Sequence, residues 1–185
     1  MAKVTFITGN PHKARVLEEY LGYSVEHKKV ELDEIQSLEL KEIIEHKVKQ
    51  AYQILKTPVL VEDVGLVIEP MDKLPGPFIK WFIETLELNG ICDLVNHYDN
   101  RSAKAQVAFG YFDGNLIKIF QGEVKGKIAE SPRGNDSFGW NPIFIPNGAS
   151  KTYAEMDGDE TLRFSLRTTT VFPQIKEFLS GLDTK

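Results

Sequence analysis

Two acidic residues in succession, Glu62 and Asp63, follow the apolar run Pro58–Val61. Adjacent carboxylates beside a buried strand are unfavourable without a partner, because like charges repel and desolvation penalises both. Glu34, in the polar segment LDEIQS, adds a third carboxylate, so oxygen ligands would converge on Mg²⁺ and leave room for water and phosphates. One carboxylate would also deprotonate a water for attack on phosphorus. The alternative is that Glu62 and Asp63 merely end a strand and cap a turn, and spacing alone supports both interpretations.

The segment TGNPHK, Thr8–Lys13, predicts a turn between a strand and a helix. A helix N-terminus offers unpaired N–H groups and a partial positive charge, to which Asn10 and Lys13 add an amide and an ammonium. This combination suits a phosphate group. The alternative is an ordinary turn in which Gly9 gives flexibility, Asn10 caps the helix and Lys13 is solvated.

Two segments near the C-terminus carry aromatic and basic side chains. In FGWNPIF, Phe138 and Trp140 flank a glycine, a pattern more typical of a strand edge with aromatic packing than of a binding site. In RFSLR, Arg163 and Arg167 are predicted to lie one helical turn apart and would either face an anion together or stay solvated. The histidines show no spacing of metal ligands, and the single cysteine, Cys92, is interpreted as a small buried hydrophobe.

Length and composition predict one domain, residues 1–185, because 42% hydrophobic residues can fill a substantial core. The net charge of −5 gives no global basic field for nucleic acid. No apolar stretch approaches the roughly 18 residues that span a membrane, and the first residues lack a signal-peptide pattern. We therefore expect a cytoplasmic protein that binds neither nucleic acid nor membrane.

Periodicity predicts the elements that position these residues. Strands and helices alternate first, and residues 102–129 then form a β-hairpin around Asp113-Gly114. This order indicates an α/β fold with a mixed sheet. The predicted strands are Lys3–Thr8, Ser24–Lys28 and Pro58–Val61, and the predicted helices are Pro11 to Gly22, Leu38–Leu55, one from about Phe78, and Thr161–Leu179 with an interruption before Pro173.

The motifs, taken in order, resemble the inosine triphosphate pyrophosphatase family: ITGNPHK, LDEIQ, PVLVEDVGL, LPGPFIKWF, FGWNPIF and KTYAEM. The resemblance covers nearly the whole chain. It implies an elongated mixed β-sheet flanked by helices, with two lobes around a central cleft, usually assembled as a homodimer. The implied activity is Mg²⁺-dependent hydrolysis, with Mn²⁺ as an alternative metal, of a nucleoside triphosphate such as ITP, dITP or XTP to the monophosphate and pyrophosphate.

The resemblance also implies a role for each motif residue. Asp63 would be the base that activates water, Glu62 would support it, and Glu34 and Asp63 would hold the metal. Lys13 is the third catalytic residue implied, and lysines would clamp the leaving pyrophosphate. The substrate-binding residues implied are Thr8, Gly9, Asn10, Lys13, Lys47 and Lys80 for the triphosphate, Phe138, Gly139, Trp140 and Asn141 as the nucleobase wall, and Arg167, which reaches the base.

Departures from the family pattern concentrate in the segments that would read the base. Family members generally carry an aspartate where this chain has Asn141, and an amide donates as well as accepts hydrogen bonds. A lysine, an asparagine and a histidine usual before Arg167 are replaced by Thr161, Leu162 and Leu166. We therefore expect hydrolysis with a shifted or relaxed base preference. A nucleotide-binding homologue without turnover, and a pyrophosphatase for another modified nucleotide, remain alternatives.

Overall fold

The computed structural model describes residues 3–135 and 138–182, which form two units. Within the described residues, the first unit comprises 3–63, 107–122 and 167–182, and the second comprises 64–106, 123–135 and 138–166. Three long strands contribute residues to both units. The single domain over residues 1–185 stays a prediction.

The chain contains seven strands and five α-helices within its described part. The strands are β1 Thr5–Ile7, β2 Glu26–Lys28, β3 Val59–Ile68, β4 Pro75–Gly76, β5 Ser102–Phe112, β6 Ile117–Ile128 and β7 Phe144–Pro146. The helices are α1 Pro11–Leu21, α2 Leu40–Leu55, α3 Ile79–Val95, α4 Gly158–Phe164 and α5 Phe172–Leu182. Short 3₁₀ turns span Glu69–Met71 and Tyr153–Glu155, and a π-helical turn spans Arg167–Val171.

The strands form one mixed sheet in the order β2-β1-β3-β5-β6-β7, with β4 paired to β3. β1 pairs in parallel with β2 and β3, whereas the β3–β4 and β6–β7 pairs are antiparallel. The predicted α/β class with a mixed sheet flanked by helices is confirmed, as is the hairpin of β5 and β6.

The first three strands determine where the charged residues point. α1 links β1 to β2, and α2 links β2 to β3 on the other side of β1. Because parallel crossovers are right-handed, these two helices lie on opposite faces of the sheet. Val59 and Val61 of β3 pack in a buried cluster with Ile44 and Val48 of α2. Side chains alternate along a strand, so Asp63 follows them onto the α2 face and Glu62 points to the other.

The N-terminal turn forms as predicted. Asn10 is the N-cap of α1, and its Oδ1 accepts a hydrogen bond from the backbone N–H of His12 at 2.9 Å. Pro11 occupies the first turn, where its missing N–H costs nothing. Gly22 ends the helix with a φ of 85°, a conformation that glycine adopts without strain.

The structure corrects two details of the predicted elements. β3 does not end at the acidic pair but continues to Ile68, because the apolar residues Leu66 and Ile68 are fully buried on it. The C-terminal helix is interrupted before Pro173, as predicted, but the interruption already begins at Ser165, with φ −57° and ψ 125°. Arg163 and Arg167 therefore do not lie one turn apart on a continuous helix.

No helix in residues 3–135 and 138–182 has the length and apolar character needed to cross a membrane.

Candidate functional site

Glu62 is a buried carboxylate that two cations approach from different elements. Its side chain is 2% exposed, and its Oε1 accepts a hydrogen bond from Arg167 Nε at 2.6 Å and lies 2.6 Å from Nη2 of the same guanidinium. Lys13 Nζ, on the first turn of α1, lies 3.1 Å from Oε2. This separation is within hydrogen-bonding distance, so a second cation meets the buried carboxylate on its other oxygen.

The two cations decide the protonation state of Glu62. Burial alone would raise the pKa of this carboxyl, but the charges of Arg167 and Lys13 outweigh burial and hold its pKa below the ordinary value of 4.5. Glu62 is therefore ionised at neutral pH. A carboxylate with a lowered pKa is a weak base, so this group is suited to position Lys13 and Arg167 rather than to accept a proton.

Asp63 belongs to a second charged group on the α2 face. Lys47 Nζ, from α2, donates to Asp63 Oδ2 at 2.8 Å and to Glu34 Oε1 at 3.2 Å. Burial favours the neutral amine, but the two carboxylates outweigh it and raise the pKa of Lys47 above 10.5. One permanent ammonium therefore joins the two carboxylates that the resemblance gives to a metal.

The three carboxylates do not converge on one point. Glu62 faces Lys13 and Arg167, whereas Asp63 and Glu34 meet at Lys47 on the other face. Across residues 3–135 and 138–182, no group of three or more His, Cys, Asp or Glu side chains is placed to hold a metal ion. A cation held here by protein groups would depend on Glu34 and Asp63, with further oxygen ligands from water or a bound phosphate.

Hydrogen bonds within the protein hold the turn at Thr8–Asn10, which leads into the helix that carries Lys13. Thr8 Oγ1 accepts from the N–H of Asn10 at 3.1 Å, which tightens the turn before the helix. A Cβ at Gly9 would lie 3.3 Å from Cγ and Cδ of Lys29, so glycine allows that lysine's stem to cross the turn. Asn10 caps α1, as the alternative of an ordinary turn predicted. A contact between Asn10 and a phosphate stays a prediction.

The position of Glu34 depends on residues that sequence reasoning missed. Gln50 of α2 makes two hydrogen bonds to Asp33, the residue that precedes Glu34. Its Oε1 accepts from the N–H of Asp33 at 2.7 Å, and its Nε2 donates to Asp33 Oδ2 at 2.8 Å. Gln50 lies one turn after Lys47, so a single helix face holds both Asp33 and Glu34. The only available signal was the amphipathic spacing of α2, which does not identify a loop partner.

Polarity reversal tests this pairing. We expect Gln50→Glu to speed backbone hydrogen exchange at Asp33 and Glu34 by about tenfold, because two carboxylates then face each other. Asp33→Asn leaves exchange near the wild-type rate, since the new amide can turn its oxygen toward Gln50 Nε2. The double variant is expected to recover protection, because the amide introduced at position 33 can donate to the carboxylate introduced at position 50. Mass spectrometry measures the exchange in the wild type, the two single variants and the double variant. Equal exchange rates in all four proteins would contradict the pairing.

The predicted nucleobase wall is a tight turn in the second unit. Asn141 N–H donates to Phe138 C=O at 3.1 Å, and Ile143 N–H donates to Trp140 C=O at 3.0 Å. Gly139 has a φ of 55°, a left-handed conformation that favours glycine. The Phe138 side chain is exposed, whereas Trp140 and Asn141 are half-buried.

A second turn supports this one from within the same unit. Ala154 N–H donates to Asn141 C=O at 3.2 Å, and the buried Thr152 donates from Oγ1 to Arg133 C=O at 3.1 Å. Arg133 Nη2 also lies 3.2 Å from Glu155 Oε2. The KTYAEM segment therefore fixes both ends of the loop that carries Phe138 and Asn141.

Lys80 is exposed on α3 in the second unit, with Nζ 3.9 Å from Glu84 Oε1. Leu166, where the family pattern has a histidine, is buried, and Leu162 is exposed. The structure brings together Lys13, Glu62 and Arg167 in one group and Glu34, Lys47 and Asp63 in another. The Arg167 guanidinium lies on Glu62, and its contact with a nucleobase stays a prediction.

Comparisons with known proteins extend over most of the chain. A model of the Ham1 family matches residues 4–175. The chain is 41% identical over 172 residues to an inosine triphosphate pyrophosphatase from Scheffersomyces stipitis, covering 85% of this chain and 88% of the relative. It is 40% identical over 172 residues to a dITP/XTP pyrophosphatase from Hyperthermus butylicus, covering 90% of each. The structure of a HAM1 protein from Coxiella burnetii matches its fold with a TM-score of 0.83 at 23% identity, covering 98% of this chain and 100% of that one.

Proposed function

The chain belongs to the Ham1 family, and from this premise we propose that it hydrolyses a nucleoside triphosphate to the monophosphate and pyrophosphate. The observation that carries the proposal is the charge arrangement of the first unit. There, Lys13, Lys47 and Arg167 meet two consecutive carboxylates, Glu62 and Asp63. Relatives aligned along this chain are named for inosine triphosphate and for dITP and XTP, which supports a purine triphosphate of this class as substrate.

The lysines bind and stabilise the phosphates in this proposal. Lys13 lies beside the N-terminal N–H groups of α1, where a helix end favours an anion. Lys47 is kept charged by its carboxylate partners, which raise its pKa. Negative charge grows on the leaving pyrophosphate as the anhydride bond breaks, and positioned ammonium groups stabilise it. Glu62 keeps Lys13 and Arg167 in place through its ion pairs.

Asp63 activates the water. Its carboxylate is partly exposed and lies on the same face as Lys47 and Glu34, so a water can reach it. Asp63 accepts the proton of that water as the oxygen attacks phosphorus. The pyrophosphate then leaves with the electrons of the broken P–O bond.

The residues present fit a divalent cation, Mg²⁺ or Mn²⁺, as a proposed cofactor. The Lys47 ammonium already contacts one oxygen of Glu34 and one oxygen of Asp63, so the two carboxylates lie close enough to share a cation. Carboxylate oxygens are the ligands that these hard cations prefer. Such a cation, when bound, supplies charge neutralisation on the phosphates and makes the bound water more acidic. Glu34 and Asp63 would hold it.

The base is proposed to stack against Phe138 and Trp140 and to be read by Asn141. An aromatic face gives stacking, and an amide offers both a donor and an acceptor. Because losing or exchanging one hydrogen-bond partner costs on the order of 1 to 3 kcal/mol, Asn141 would reorder substrates by roughly 10- to 100-fold. The chain is therefore proposed to have a shifted or relaxed base preference.

A nucleotide panel tests the activity and the preference together. We expect the wild type to release pyrophosphate from ITP, dITP or XTP with Mg²⁺. We also expect its preference for these nucleotides over ATP and GTP to be small, or the order of preferred substrates to differ. Steady-state rates of pyrophosphate release give both results. A strong preference for inosine triphosphate would contradict the proposed shift in base preference but not the proposed hydrolysis. No release from any nucleotide would contradict the hydrolysis and favour a binding protein without turnover.

The oligomer and the location are separate proposals. A homodimer and a cytoplasmic location follow from the family resemblance and the sequence pattern, and both stay predictions. Sedimentation of the purified chain would test the first.

A further inference from the structure

Lys47 lies between the two carboxylates that the proposed function gives to a divalent cation. Its Nζ is 2.8 Å from Asp63 Oδ2 and 3.2 Å from Glu34 Oε1. One ammonium thus contacts an oxygen of each proposed ligand. A cation held by both carboxylates would lie close to this ammonium and share its two anions.

The Lys47 ammonium is a held charge rather than a mobile surface charge. Its side chain is 12% exposed, whereas that of Glu34 is 66% exposed. Val48, the next residue on α2, is fully buried in the cluster with Val59 and Val61 and anchors this part of the helix. A divalent cation arriving from solvent therefore meets an ammonium already hydrogen-bonded to its ligands.

Two positive charges beside the same two carboxylates repel each other strongly, since little water screens the side of Lys47 that faces the protein. The ammonium must move away when the metal binds, and it then needs another anion. The triphosphate supplies that anion. Metal binding without nucleotide leaves the displaced lysine with no such partner.

We propose that Lys47 is an internal cation that competes with the divalent metal for Glu34 and Asp63, and that the substrate triphosphate relieves this competition by pairing with the lysine. The inference rests on the metal site proposed above. It makes metal and nucleotide bind cooperatively, each raising the affinity of the other by the same factor. The free enzyme accordingly binds metal weakly.

Removing the ammonium separates affinity from activity. Lys47→Met keeps an apolar stem of similar length and lacks the charge. We expect Mn²⁺ to bind nucleotide-free Lys47→Met about tenfold more tightly than the wild type, a typical size for such coupling, while pyrophosphate release falls. Titration of Mn²⁺ followed by the paramagnetic resonance of the free ion measures the affinity. Equal or weaker binding by the variant, or no detectable binding by either protein, would overturn the proposal.

Lys49→Met is the matched control, because Lys49 lies on the same helix, is exposed, and carries the same charge. We expect its Mn²⁺ affinity to stay near the wild-type value, and an equal gain in this control would attribute the effect to net charge and overturn the proposal. Adding Asp63→Asn to Lys47→Met is expected to remove the gain in Mn²⁺ affinity. If the double variant still binds Mn²⁺ more tightly than the wild type, the metal lies elsewhere and the proposal is overturned. Pyrophosphate release by the wild type tests the proposed function separately, since it does not depend on any of these affinities.

Discussion

Asp63→Asn is expected to lower kcat for pyrophosphate release by about 10²- to 10⁴-fold, the range for losing a positioned general base. An amide has nearly the same shape as the carboxylate but accepts no proton from water at neutral pH. The substitution also removes one of the two anions that hold Lys47. Because kcat reports the bound complex, the loss is expected there more than in KM.

A matched substitution separates this effect from a general loss of charge. Asp99 is exposed in the second unit, and Asp99→Asn removes the same charge. We expect this control to keep the wild-type rate, with both proteins melting within a few degrees of the wild type. An Asp63→Asn enzyme that turns over within about threefold of the wild type would show that another group activates the water.

The local elements were predictable because short-range rules govern them. Asn10 and Pro11 predict the start of α1 and Gly22 predicts its end. In the structure Asn10 is the N-cap, Pro11 lies in the first turn and Gly22 is the C-cap. The break at Ser165 was not predictable in this way. Its backbone conformation is not imposed by a proline or a glycine, and the residue that follows, Leu166, is buried.

The charged groups were identified by type but not by partner. Sequence reasoning found Glu62 and Asp63 and treated them as one pair, although alternation along a strand sends consecutive side chains to opposite faces. The prediction that the strand ends before them concealed that separation. The partners Arg167 and Gln50 come from distant parts of the chain, and no local pattern records which cation or amide will meet which carboxylate.

Glu62 joins distant segments, so its replacement is expected to destabilise the fold. Glu62→Gln removes the charge that contacts both Lys13 and Arg167 while keeping the side chain's size. We expect the free energy of unfolding at pH 7 to fall by about 3 kcal/mol, the lower end of the range for breaking a buried ion pair. The lower end applies because both cations are 23% exposed and can turn toward water.

The pH dependence of this difference identifies its cause. The folded-state pKa of Glu62 is lowered from 4.5, so its ionised form stabilises the fold fully above about pH 4.5, and that contribution disappears as the pH falls toward the lower folded-state pKa. Urea unfolding at a series of pH values should therefore show a constant gap between wild type and Glu62→Gln near neutrality that closes in acid. Glu19→Gln removes one charge at an exposed position of α1 and should show almost no gap. A gap for Glu62→Gln that is independent of pH would mean that packing or amide geometry, and not the ion pairs with Lys13 and Arg167, sets the stability of this group.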